Sequence, residues 1–173
     1  MHRNAHLATD PSWLPVYWDM AAAVYVRDIP RNREIIEKHG YRYIRPANFS
    51  FKYLSPLLAK GLGGAVTAEL DRLLRESPDN EEAYIARASV AFIEGGVALG
   101  RAEKDVTAAL ALNPKRSVAH RVLGMVRQDQ GRREEALRSY EEALRLNPAD
   151  KIARNGRELL LSGQKESAHS PAL

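Results

Sequence analysis

The chain has 173 residues, 45% of them hydrophobic and 28% charged, with a formal net charge of +4. That length fits one domain, or a small domain joined to a second piece, and the composition supports a globular core and excludes wholesale disorder. Cysteine is absent, which excludes disulfide frameworks, thiolate metal sites and cysteine nucleophiles. The opening residues Met1-His2-Arg3-Asn4-Ala5-His6 lack the apolar stretch of a signal peptide. No apolar run reaches the ~20 residues that span a bilayer. A cytoplasmic protein is the default expectation. Lys and Arg are interleaved with Asp and Glu, so the basic excess does not argue for a nucleic-acid partner.

Residues 1–46 form the first segment, a small α+β unit. Trp13-Leu14-Pro15-Val16-Tyr17-Trp18 and Ala22-Ala23-Val24-Tyr25-Val26-Arg27 read as two strands joined at Asp19-Met20. Pro30 and Gly40 then bracket a helix over Arg31–His39, with Ile35 and Ile36 as its buried face. Tyr41–Ile44 is expected to add a third strand. Trp13, Tyr17, Tyr25 and Tyr43 carry more aromatic surface than that helix can cover, and a two-stranded sheet alone is marginal in water. The unit is therefore expected to be completed from outside, by upstream sequence or by a second copy of the chain.

Residues 47–161 are rich in Ala, Leu, Glu and Arg, which are strong helix formers. Pro78, Pro114 and Pro148 each close an apolar helix and recur at spacings of 36 and 34 residues. A period of ~34 residues marks stacked helical hairpins. Gly61, Gly95 and Gly131 fall between the two helices of successive units. The last unit, Ser117–Asp150, carries Leu123-Gly124 in its first helix and Ala136, Tyr140, Ala143 and Pro148 in its second. With these residues at this spacing it resembles the tetratricopeptide repeat (TPR) family. Small residues at 124 and 136 permit a close helix crossing, with Tyr140 filling the gap beside it. His120 and Arg127 depart from the pattern, so the outer end of the first helix is expected to pack loosely.

In the middle unit, from about Glu81 to Pro114, Ala88, Ala102, Val106 and Ala109 take the matching places, and Gly95–Gly100 holds two extra residues. The first unit is degenerate: Val66, Leu70, Leu73 and Leu74 suit its second helix, but Pro56 interrupts its first. Ile152, Gly156, Leu159 and Leu160 predict a final helix over the exposed end of the stack. Ser162–Leu173 reads as a disordered tail. The expected fold is mainly α, a TPR-type α-solenoid of antiparallel helix pairs with a small N-terminal hairpin and helix.

The N-terminal segment carries Trp13, Val16-Tyr17-Trp18-Asp19, Val24-Tyr25-Val26-Arg27, Asn32 and Pro46. In these residues it resembles the soluble stretch of bacterial polytopic membrane glycosyltransferases that end in TPR repeats. This resemblance implies that the chain is the tail of such a protein, or a stand-alone relative, with an extracytoplasmic location as the alternative. The membrane portion with its sugar chemistry is absent, so no catalytic residue carries over.

Other motifs read as structure. Gly61-Leu62-Gly63-Gly64-Ala65-Val66 begins like a dinucleotide loop, but no strand precedes it and Val66 replaces the last glycine. Gly95–Gly100 lacks the Lys and Ser/Thr of a phosphate loop. The five His do not cluster, and His120 reads as a packing residue. Glu134-Glu135 and Glu141-Glu142 read as helical partners of Arg138 and Arg145. Asp10, Asp19 and Asp28 read as turn and capping residues. Tyr41 to Arg45, with Phe49, Phe51, Lys52 and Tyr53, interleaves bases and aromatics, and is read as packing rather than a nucleic-acid platform.

No nucleophile, base and orienting group combine, and no cofactor or metal is expected, so the chain is read as not an enzyme. The family resemblance places a partner on the concave face of the first helices of each unit. The matching residues are Glu82, Ile85, Ser89 and Phe92, then Val118, Arg121, Met125 and Gln128. This mixed surface suits a helix or an extended peptide. The family's clamp for chaperone tails needs Lys and Asn, where this chain has Arg121 and Met125, or Ile85 and Ser89. Two readings stand: a module that binds a protein or peptide, with self-association open, and the accessory tail of a membrane glycosyltransferase.

Overall fold

The structure is a computed structural model that describes residues 5–19, 22–46 and 51–167. Met20, Phe49 and the end of the expected tail, residues 168–173, lie outside these. The chain divides into two compact units, Met1–Val90 and Ala91–Leu173.

In the first unit, β1 (Trp13–Trp18) pairs antiparallel with β2 (Ala23–Arg27), running from Trp13 opposite Arg27 to Trp18 opposite Ala23. An irregularity between Pro15 and Tyr17 breaks the register. It suits a strand whose Pro15 has no N–H for the ladder. Asp19 accepts a hydrogen bond from the Ala22 N–H at 2.8 Å, and Asp10 accepts from Ser12, which fits their expected turn roles. A 3-10 turn at Pro30–Asn32 leads into α1 (Arg33–His39). The expected buried pair is split: Ile36 is buried, but Ile35 is 47% exposed. Neighbours on a helix differ by about 100° in direction, so a helix this short buries only one of them.

Residues 41–46 form no strand, and the reason lies in α3 (Gly63–Glu76). The Glu69 carboxylate accepts the backbone N–H groups of Arg42 (2.7 Å), Tyr43 (2.9 Å) and Ile44 (3.1 Å), which a sheet ladder would otherwise need. Burial pushes this carboxyl above its ordinary range, against the three N–H bonds that lower it. One turn on, the Arg72 guanidinium donates to the His39 and Gly40 carbonyls and lies 3.8 Å from the Tyr41 ring centroid. The Tyr41 hydroxyl donates to Glu76 at 2.7 Å. Positions 69, 72, 73 and 76 share one helix face, and that face holds the 39–44 segment.

Trp18, Tyr41 and Ile44 are buried in one core with Val66, Leu70, Leu73 and Leu74 of α3. Of the hairpin's aromatics, Trp18 is covered by this core, while Trp13 and Tyr25 are only partly buried. Tyr17 and Val24 remain exposed. Before α3 comes α2 (Phe51–Ala59), which continues through the expected interruption at Pro56 and ends in a turn at Gly61 with φ +76°. Proline costs a helix its bond to the residue four before it, which suits a helix of nine residues. Asn80 then caps α4 (Glu81–Glu94), accepting the Ala83 N–H at 3.1 Å.

The second unit follows the repeat. Gly95, with φ +68°, and a 3-10 turn at Gly96–Ala98 take up the extra residues before α5 (Leu99–Leu112). Then come α6 (Ser117–Asp129), α7 (Arg133–Leu146) after the Gly131 turn, and α8 (Lys151–Ser167). The expected helices over 81–148 are present, with no strand among the described residues there. The expected tail is corrected in its first part, because α8 continues through Ser167. The outer end of α6 is also not loose. Arg127 lies 3.3 Å from Glu103 of α5 and donates to Ser139 of α7, and Arg132 lies 2.6 Å from the same Glu103. Burial alone would raise the Glu103 carboxyl, but hydrogen bonds from Gln130, Arg127 and Arg132 outweigh it and hold it low. Glu135 pairs with Arg132, not with the expected Arg138, whereas Glu142 does pair with Arg145.

Candidate functional site

Tyr140 organises the second unit. Its ring lies between two glycines on different helices. A Cβ on Gly124 of α6 would stand 2.7 Å from the ring, and one on Gly156 of α8 would stand 2.5 Å from it. Real Cβ atoms do not approach so closely, so both glycines are required by contact and not by backbone conformation. The Tyr140 hydroxyl donates to the Gln128 side-chain oxygen at 2.8 Å. Burial, and after it the charge of Asp129, pushes the phenol up to about 12.

α8 is fixed at its start by Asp150. One carboxylate oxygen accepts the N–H groups of Ile152 and Ala153, both at 3.1 Å. The other accepts from Arg121 of α6, also at 3.1 Å. Ala153 and Leu160 are buried towards α7, while Lys151, Glu158 and Ser162 are exposed on the opposite face. That polar outer face is what a terminal helix of a repeat stack needs. Ile152 (51% exposed) and Leu159 (62%) stand on a flank between the two faces.

This flank and α6 enclose a groove of about 320 Å³, lined by Phe92, Met125, Gln128, Asp129, Tyr140, Ile152, Asn155, Gly156 and Leu159. Its walls are apolar, and its amides and single carboxylate can fix an occupant's orientation. The structure therefore brings together three of the eight residues expected from the sequence: Phe92, Met125 and Gln128. Val118 and Glu82 are partly exposed and are not among the lining residues. Ile85 and Ser89 are buried, and the Ser89 hydroxyl donates to the Ile85 carbonyl at 2.8 Å. Arg121 is engaged by Asp150. Ile152, Asn155 and Leu159 were missed. Their helical spacing was visible, but α8 was read only as a lid.

Among the described residues, no group of three or more His, Asp or Glu is placed to hold a metal, and no helix is long and apolar enough to cross a membrane.

Residues 117–150 match the family model described as tetratricopeptide repeat. No curated protein is significantly similar to the chain. Several solved structures share the fold. The first TPR of Spaghetti (RPAP3), bound to the HSP90 peptide SRMEEVD, is 24% identical over 64% of this chain and 86% of that one, with a TM-score of 0.58. The Sgt2 TPR domain from Aspergillus fumigatus is 22% identical over 69% and 81%, with a TM-score of 0.61. MamA is 21% identical over 77% and 74%, with a TM-score of 0.60. The chain is thus a mainly helical, TPR-like solenoid with a small N-terminal hairpin.

Proposed function

We propose that the chain is a non-catalytic protein–protein interaction module that holds a peptide or protein partner in the groove between α6 and α8. One observation carries this reading. Phe92, Met125, Ile152 and Leu159 stand around one open space, and the last two are more than half exposed beside a polar outer face. Apolar side chains gathered in this way mark a binding surface more often than a free one. The similar Spaghetti (RPAP3) domain, bound to an HSP90 peptide, supports a peptide-binding role for such a fold. Within the second unit, Val118 is proposed as an outlying contact and Arg121 as a support that holds α8 through Asp150. Glu82, Ile85 and Ser89 are proposed as partner-contacting residues of the first unit, taken by itself.

Leu159 is exposed, so Leu159→Asp leaves the core intact. A random peptide library displayed to the full chain should yield binders that lose their affinity with Leu159→Asp and keep it with Glu134→Lys on α7. Equal loss in both variants, or in neither, would contradict the groove. The alternative, an accessory tail of a membrane glycosyltransferase, rests on the N-terminal resemblance. In-frame membrane helices encoded upstream of Met1 would establish it.

A further inference from the structure

The groove is electrically lopsided. Arg127 is matched by Glu103 at 3.3 Å and Glu135 at 3.7 Å, and Arg132 by the same two carboxylates. At the other end of α6, Arg121 is matched by Asp150 at 3.1 Å. Among the described residues, Asp129 is the sole charged one lining the groove, and it has no hydrogen-bond or ion-pair partner there.

Asp129 is exposed and so solvated by water, but its position is mildly unfavourable. Asp129 is the last residue of α6, where the helix dipole places partial negative charge and a cation is the favourable choice. An acid there works against its own helix. Beside it, the Gln128 side-chain oxygen is occupied by the Tyr140 hydroxyl. Its NH2 is left as a donor for an occupant.

We infer that the partner is a short apolar peptide segment carrying a Lys or Arg, whose apolar side chains pack on Phe92, Met125, Ile152 and Leu159 while its cation pairs with Asp129. This deepens, and rests on, the groove reading above. A cation at Asp129 is favoured both by the carboxylate and by the negative end of the α6 dipole. A peptide carboxyl at Gln128 would gain one donor but stand beside a like charge. The groove therefore disfavours acidic peptides such as SRMEEVD, the ligand in the similar Spaghetti (RPAP3) structure.

The test is fluorescence polarisation of the full chain with three short leucine-rich synthetic peptides. They are identical except for Arg, Gln or Glu at one position. Affinity should fall in that order, by about two- to fivefold per step at low salt, the scale of one exposed ion pair. The order should flatten as salt screens the pair. Asp129→Lys should reverse it, with unchanged circular dichroism. If all three peptides bind equally to both proteins, and Leu159→Asp abolishes binding, the charge inference is overturned and the groove stands. If none binds, or Leu159→Asp changes nothing, both are overturned.

Discussion

Gly156 and Tyr140 meet at van der Waals contact, so a single methyl group on the glycine would lie 2.5 Å from the ring. Gly124 presses on the other side of the same ring. Gly156→Ala and Gly124→Ala should therefore each destabilise the protein by about 1–3 kcal/mol through overpacking. In an open helix the same change would stabilise by about 1 kcal/mol through propensity, so the sign itself is diagnostic. Urea denaturation reads it, and a gain in stability would place the helix crossing elsewhere.

The hold of α3 on residues 39–44 makes a second prediction. Glu69→Ala strands three backbone N–H groups that now share one carboxylate, and a buried donor left unmade costs about 1–3 kcal/mol. Amide exchange should accelerate at Arg42, Tyr43 and Ile44 before it does in α6 and α7. Trp18 fluorescence should shift to the red as its contact with Tyr41, 4.3 Å between ring centroids, loosens. Exchange unchanged at these three amides would show that the carboxylate does not anchor them.

Alkali gives a third. Burial, ahead of the hydrogen bond to Glu76, pushes the Tyr41 phenol up to about 12, and burial does the same to Tyr140. An unfolded chain ionises its tyrosines at about 10. Between these values the unfolded state loses protons first, so stability is complete below pH ~10 and falls as pH rises towards ~12. Urea midpoints across this range should decline, and phenolate absorbance should show tyrosines that titrate late. With Tyr140→Phe the decline should be smaller. An identical decline would mean that Tyr140 is not shielded.

The repeat was legible because it is written in volumes. Gly124, Ala136 and Ala143 are small where helices cross, Tyr140 is large where they part, and proline closes each unit. The hairpin was legible in its alternation and turn residues. The failures have another form. Tyr41–Ile44 looked like a strand by its residues, yet the N–H groups of Arg42, Tyr43 and Ile44 go to Glu69, 25 or more positions away. Arg121 and Arg127 looked like groove and misfit, yet they pair with Asp150 and Glu103. Long-range polar partners leave no local pattern to read. Ile152 and Leu159 had the spacing of a buried stripe, but α8 is the last described helix, and their side of it faces the groove.

The link between α6 and α8 gives a fourth prediction. Asp150 is 4% exposed in its side chain and Arg121 is 22% exposed. Arg121→Ala leaves that carboxylate without its cation and should cost about 1–3 kcal/mol, below the ~3–5 kcal/mol of a fully buried pair because Asp150 keeps its two capping N–H bonds. Proteolysis should then cut first within α8. Cleavage elsewhere, at an unchanged midpoint, would show that the pair does not dock the helix.

The central claim is that the groove of Met125, Gln128 and Leu159 receives a peptide. It is tested most directly by nuclear magnetic resonance titration of the full chain with a short, uncharged leucine-rich peptide. Amide shifts should move saturably at Met125, Gln128, Gly156 and Leu159, stay still along the outer face of α8 at Lys151 and Glu158, and vanish with Leu159→Asp. Shifts scattered over α5, or over α7 away from Tyr140, or persisting in that variant, would contradict the account.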